Sequence, residues 1–181
     1  RFPRGALLLA KAFACLGEGA ELPLAVELAG LSPKDVMPSM SVLTEEKILE
    51  VKEHGQRRDY FAFIHANARS ILYQSIPSGQ RAAMHEHAGT ILEAKGGSAR
   101  DVAHHYLCAR NKEKSIQYGI PAARELAERQ AYAEAIEIHE SLLELLEASE
   151  EKLRTTLRRE LASLRFQVGD YTGVLDLLGG R

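Results

Sequence analysis

The sequence has no tryptophan, only two cysteines in 181 residues, and no apolar run near the roughly 18–20 residues of a membrane span. Two cysteines cannot build a disulfide scaffold. Cys15 and Cys108 both fall inside apolar helical patterns, the setting of reduced core thiols in a cytosolic protein. The longest apolar stretch, Ala6 to Leu16, is interrupted by Lys11, and no small-residue cleavage site accompanies it, so it reads as neither a membrane span nor a signal peptide. No charge sign dominates, with 23 Lys+Arg against 25 Asp+Glu and a net charge of −2. Residues 1–65 are close to neutral, 66–130 are mildly basic and 131–181 mildly acidic. No third carries the positive excess of a surface that displaces counterions from nucleic acid. Neither a G-x-x-x-x-G-K-S/T loop nor a G-x-S-x-G elbow occurs, so the chain lacks the signatures of P-loop ATPases and of serine hydrolases.

What is present is an ordinary globular composition, 45% apolar and 27% charged, enough for one large domain or two small ones. The chain opens on Arg1 in place of Met, which reads as a piece of a longer protein. A helix is expected over Arg4 to Leu16, apolar on nearly every face and so central, ended by Gly17 and Gly19. A short second helix has Pro23 in its first turn and Gly30 at its C-terminal cap. Ser32-Pro33-Lys34-Asp35 opens a third, whose Val36, Met40 and Leu43 repeat at i, i+4, i+7. Pro38 lies inside that pattern, so the helix either kinks there or starts later. The period then changes. Ile48 to Val51 and Tyr60 to Ile64 are short β-branched or aromatic runs, and Lys52 to Asp59 between them reads as a long hairpin tip. Three helices followed by a hairpin is the order of a winged-helix domain.

From residue 65 onward the pattern is helical. Met84, Ala88, Ile91 and Leu92 form one stripe, closed by Gly96-Gly97. Ser98-x-x-Asp101 starts the next helix, with Val102, Ala103, Tyr106 and Leu107 facing inward. A helix over about 112–128 contains Gly119 and Pro121, which suggests a bend. Helices at about 131–147 and 151–168 and another from Asp170 follow. Ala131 to Ile136 aligns with Asp170 to Leu175 at an offset of 39, and Ile138 with Leu177. A period near 40 in helix pairs marks an α-solenoid. The expected class is therefore mainly α: a winged-helix domain with one β-hairpin over 1–64, connecting helices over 65–97, and a tetratricopeptide-like (TPR-like) α-solenoid of antiparallel helix pairs over 98–181, the array continuing beyond Arg181.

The segment Phe63 to Pro77, with Arg81 and His85 after it, resembles the F-x-H-x-x-x-R-x-x-x-Y-x-x-L/I-P and R-x-x-x-H pattern that follows the winged helix in bacterial STAND (signal-transduction) ATPases. Phe63, His65, Arg69, Tyr73, Ile76, Pro77, Arg81 and His85 fill its positions. Ala103-His104-His105-Tyr106 resembles the A-x-H-Y that opens that family's helical array. Ala66 stands where the family commonly has Asp. The resemblance implies a cytoplasmic, non-enzymatic regulatory region coupled to an upstream nucleotide-binding domain. ATP or ADP is then bound by the parent protein, and this chain holds no cofactor of its own. It assigns His65 as a cofactor-binding residue, a sensor of the ADP phosphate in the full-length protein. It also implies a protein or small-molecule inducer at the helical repeats, and self-association.

Other chemistries fare less well. His85 and His87 point about 200° apart on a helix and cannot share an ion, while His104 and Cys108 at i, i+4 supply only two ligands, so no metal is expected. Glu134, Glu137, Glu140, Glu144 and Glu147 read as a solvated helix face, and no catalytic residue is expected. The alternative function is a DNA-binding winged-helix transcription module. Against it, the third helix offers Lys34 and Lys47 beside Asp35, Glu45 and Glu46, and in the wing Glu53 and Asp59 offset Lys52, Arg57 and Arg58.

Overall fold

The computed structural model describes residues 3–52 and 60–179. Among these the chain is mainly helical, with ten α-helices and one three-stranded antiparallel sheet. No described helix is long and apolar enough to cross a membrane. The chain divides into two compact units, Arg1–Ile91 and Leu92–Arg181, and the division falls inside the segment 65–97 that the sequence suggests as a connection.

In the first unit, α1 (Arg4–Leu16) is followed by β1 (Gly19–Glu21), α2 (Leu22–Ala29), α3 (Pro33–Glu45), β2 (Leu49–Val51), β3 (Tyr60–Phe63), α4 (Ala66–Gln74) and α5 (Ser78–Ala94). As its composition suggests, α1 is central: Leu9, Ala12, Phe13 and Cys15 are buried, and the helix packs on α2, α3, α4 and β1. Phe13 meets the edge of Phe61 at 6.2 Å. Burying such a ring contributes about 1.5–3 kcal/mol. Gly30 closes α2 in the left-handed conformation at φ 63°, and three residues later α3 begins. Its start is where the Ser32-Pro33 signal places it, although the Ser32 hydroxyl donates to the Asp35 carboxylate at 2.5 Å and accepts no capping bond from a backbone amide. The helix runs on through Pro38. The carbonyl that Pro38 leaves without a donor belongs to Lys34, which is exposed, so water can serve it.

The expected hairpin pairs β2 with β3 in the register Leu49↔Phe63 and Val51↔Phe61; its tip from residue 53 to residue 59 lies outside the described residues. The sequence reading missed β1. Gly19 was expected only to end a helix, yet it pairs with Ala62 on the other edge of β3, giving the strand order β1-β3-β2. A Cβ at Gly19 would stand 2.6 Å from the Tyr60 ring and 2.9 Å from the Phe61 carbonyl, so this approach requires glycine.

In the second unit, α6 (Ala99–Ala109), α7 (Lys112–Glu128), α8 (Tyr132–Leu145), a 3₁₀ turn (Ala148–Glu150), α9 (Glu151–Gln167) and α10 (Tyr171–Leu178) each pack on their neighbours in sequence. The caps follow the sequence closely. The Ser98 hydroxyl accepts from the Asp101 amide at 3.1 Å, the Asn111 side chain from the Lys114 amide at 3.0 Å, and Asp170 from the Gly173 amide at 2.9 Å. α7 continues through Pro121, while Gly119 lets it close on α8: a Cβ there would stand 3.2 Å from both Leu142 methyls.

The 39-residue offset recurs in the backbone. Gln130 and Gly169 both have positive φ, 62° and 78°, and the residues that follow, Ala131 and Asp170, have nearly equal dihedrals. Ala135, expected to be buried, is fully so, among Ala123, Leu126 and Leu164. Val174 at the equivalent position was also expected to be buried, and here the structure differs: it is half-buried, and Leu175 beside it is 71% exposed. The reason is neighbour number. Among the described residues α8 is enclosed by α7 and α9, whereas α10 packs on α9.

Candidate functional site

The segment Phe63 to His85 folds as the end of β3, α4, a turn at Ser75-Ile76-Pro77, and the first part of α5. Its side chains sort into two groups. Phe63 packs against the core of the first unit, and Ile76 is buried at 1% exposure. The Tyr73 hydroxyl lies 2.8 Å from Nε2 of the buried His85, with the two rings edge to face at 5.8 Å. The Arg81 guanidinium stacks 4.8 Å above the Tyr73 ring. Tyr73, Arg81 and His85 therefore clamp α4 to α5. The backbone supports them, since the Pro77 carbonyl accepts from the Arg81 amide at 2.8 Å as α5 begins.

His65 stands apart from this clamp. It is exposed and occupies the N-cap position of α4 in an extended conformation, with no side-chain capping bond. Its carbonyl accepts from the Ala68 amide at 3.0 Å, which leaves the first-turn amides of Ala66 and Asn67 without a helical acceptor. No acidic residue lies in that first turn. One turn further on, Arg69 is half-buried, and its Nε is buried without a hydrogen-bond partner among the described residues. Backbone donors, an imidazole and a guanidinium thus cluster at one helix start, a combination suited to an anion.

His85 is buried and His87 exposed, as their spacing requires. His104 and Cys108 share a face of α6, with Sγ 3.9 Å from Nε2. Cys108 corrects the expectation of two core thiols: Cys15 is buried but Cys108 is exposed. Val102, Ala103, His105 and Tyr106 take the inner face of α6, and residues 104 and 108 are left on the outer one.

The glutamate run from Glu134 to Glu147, on α8 and just past its end, is also more than a solvated face. Glu134 meets Arg100 at 2.5 Å, Glu140 meets Arg165 at 2.5 Å, and Glu147 lies 3.7 Å from Lys112, so these three reach neighbouring helices, while Glu137 and Glu144 stay exposed. Exposed pairs of this kind contribute about 0–1 kcal/mol each.

Two polar networks in the second unit escape a reading of the sequence. His139 is buried on α8. Its Nδ1 lies 2.9 Å from the Ala135 carbonyl and its Nε2 3.1 Å from Glu160 of α9, which also takes Arg124 of α7 at 2.7 Å. Burial pushes the Glu160 carboxyl up, but the bonds from Arg124 and His139 outweigh it and hold the group below its ordinary value. The available signal was the i, i+4 and i+3 spacing of His139 between Ala135 and Leu142, both fully buried.

The second network centres on Glu93, which accepts from Lys114 at 2.7 Å, Tyr106 at 2.7 Å and Tyr118 at 2.8 Å, the two tyrosine rings stacked at 6.1 Å. The Lys114 bond, then those from the two tyrosines, lower the Glu93 pKa from 4.5 to about 2. In the unfolded chain this carboxyl titrates at its ordinary value. Its contribution to stability is therefore complete above about pH 4.5 and is lost as the pH falls from there through about 2. Glu93→Gln is expected to flatten the acid side of the stability profile in that window, as measured by melting temperature between pH 5 and pH 2. A profile unchanged by the substitution would show that the network has no energetic role.

Comparison with protein-family models, with curated proteins and with solved structures found no match to this chain.

Proposed function

We propose that the chain is the non-enzymatic regulatory and protein-interaction region of a cytoplasmic STAND-type ATPase. In this reading Arg1–Ile91 contains a winged helix and Leu92–Arg181 a TPR-like array. The first couples to an upstream nucleotide-binding domain, and the second receives a protein or small-molecule inducer or associates with itself. The observation that carries the reading is the position of His65. Of the motif side chains, Tyr73, Arg81 and His85 are engaged in holding α4 on α5, while His65 is exposed at a helix start that has no acidic residue in its first turn. A docked nucleotide domain would find there a donor for the ADP phosphate. The helix-turn-helix spacing of α2 and α3 and the β2–β3 hairpin support the winged-helix part.

The test uses the protein with its nucleotide domain. Loss of one charge-assisted hydrogen bond costs roughly 1.5–3 kcal/mol, about a ten- to hundred-fold shift in the resting equilibrium. His65→Ala is expected to speed ADP release and raise basal activity, while the isolated 181-residue chain shows no ADP affinity. Wild-type ADP retention and silence without inducer would return His65 to the surface residues.

The alternative reading, a DNA-binding winged helix, is served less well by α3. Its exposed positions are Pro33, Lys34, Asp35, Met37, Pro38, Ser41, Thr44 and Glu45, a single cation against two carboxylates, and Met37 is 68% exposed. Thr44 spends its hydroxyl on the Met40 carbonyl at 3.0 Å. Arg57 and Arg58 of the wing lie outside the described residues. Fluorescence anisotropy with a labelled duplex is expected to show no specific binding. Tight binding with a steep salt dependence would favour the DNA reading instead.

A further inference from the structure

The first unit contains a cleft of about 220 Å³ between α1, α3 and α4, lined by Leu7 and Ala10, by Leu43, and by Ala68, Ile71 and Leu72. The lining side chains are all aliphatic and none carries a charge or a hydrogen-bonding group. Its floor is fixed: Ala10 and Leu43 are 2% and 1% exposed and belong to the unit's core. Leu7 and Ile71 of its lining are 38% and 68% exposed, so the cleft is open to solvent and a ligand has a way in.

These features narrow the occupant. A charged or hydrogen-bonding molecule would lose its water partners on entry and gain none, a cost of several kcal/mol. Water against these walls finds no polar partner on them and keeps only its bonds to the solvent outside. An apolar molecule loses nothing comparable and gains area at about 25 cal/mol per Å². Volume sets the size, since an aliphatic cavity of about 150 Å³ is enough for benzene. We propose that this cleft is a binding site for a small uncharged apolar molecule, of the size of a monocyclic aromatic hydrocarbon. The site stands on its lining and volume and does not rest on the nucleotide reading of His65.

Benzene is the probe, titrated into the whole chain and followed by methyl NMR. The expected result is a saturable shift confined to the methyls of Leu7, Leu43, Ile71 and Leu72, together with a raised melting temperature. Ala68→Leu fills the cleft and is expected to weaken the interaction at least about tenfold. If that variant does not fold, Ile71→Gln at the exposed rim is expected to weaken it several-fold without loss of structure. Shifts that grow linearly, that spread to Leu142 and Leu157 of the other unit, or that persist unchanged in these variants would overturn the proposal. So would concentration-dependent shifts of the four methyls in ligand-free protein, which would mean that a second copy of the chain fills the cleft.

Discussion

Ala135→Arg is expected to destabilise the Leu92–Arg181 unit by about 4 kcal/mol or more, among the largest effects a single substitution produces. Ala135 has no exposed surface and sits among Ala123 and Leu126 of α7 and Leu164 of α9. A long side chain there forces the helices apart and drives its guanidinium among apolar side chains. The damage extends to His139, whose Nδ1 bonds the Ala135 carbonyl and whose other nitrogen reaches Glu160. Thermal unfolding would register a loss of more than about 10 °C for a chain of this size, and amide hydrogen exchange would place the loss in α7–α9. Ala133→Arg is the comparison: Ala133 is exposed two residues earlier, and its substitution is expected to change stability by no more than about 0.5 kcal/mol. Equal effects at the two positions would mean that the register of α8 is wrong.

His85→Ala is expected to cost the Arg1–Ile91 unit about 2–4 kcal/mol. The imidazole is 2% exposed, so its removal leaves a cavity, and the bond to the Tyr73 hydroxyl is lost with it. Arg81 is stacked on that same Tyr73 ring, which couples the three residues. Tyr73→Phe removes only the hydroxyl and is expected to cost about 1 kcal/mol, with a double-mutant cycle reporting the coupling. His87→Ala, on the exposed side of α5, is expected to be neutral. If His85 and His87 behaved alike, the clamp between α4 and α5 would be energetically empty, and the case for His65 as the odd member of the motif would fall with it.

Within the candidate site, the chemistry-bearing residues were legible and their division of labour was not. The motif spacing brings Tyr73, Arg81 and His85 forward as a set with His65, but only the packing of α5 on α4 shows that the first three are spent on each other. The glutamates from Glu134 to Glu147 make the same point. Their helical spacing is plain in the sequence, whereas the partners of Glu134, Glu140 and Glu147 come from α6, α9 and α7.

What the sequence determined by itself is what local physical chemistry controls. Gly30 can take a left-handed φ, Ser98 and Asn111 can cap an amide three residues on, and Val36, Met40 and Leu43 fall on one helix face, wherever the rest of the chain lies. The pairing partners β2 and β3 were legible for the same reason, as short β-branched and aromatic runs flanking a polar stretch. The tertiary structure alone decided the rest. β1 has three residues and no pattern of its own; it is a strand because β3 offers it a hydrogen-bonding edge. Cys108 is exposed because the inner face of α6 is filled by other residues, and Val174 is half-buried because, among the described residues, α10 packs mainly on α9 whereas α8 lies between α7 and α9. Glu93 and His139 join groups 13 to 25 and 21 residues away on other helices, and the period of one helix does not say which other helix it will meet. Burial and pairing are properties of which surfaces meet, and that is settled only when the helices have packed.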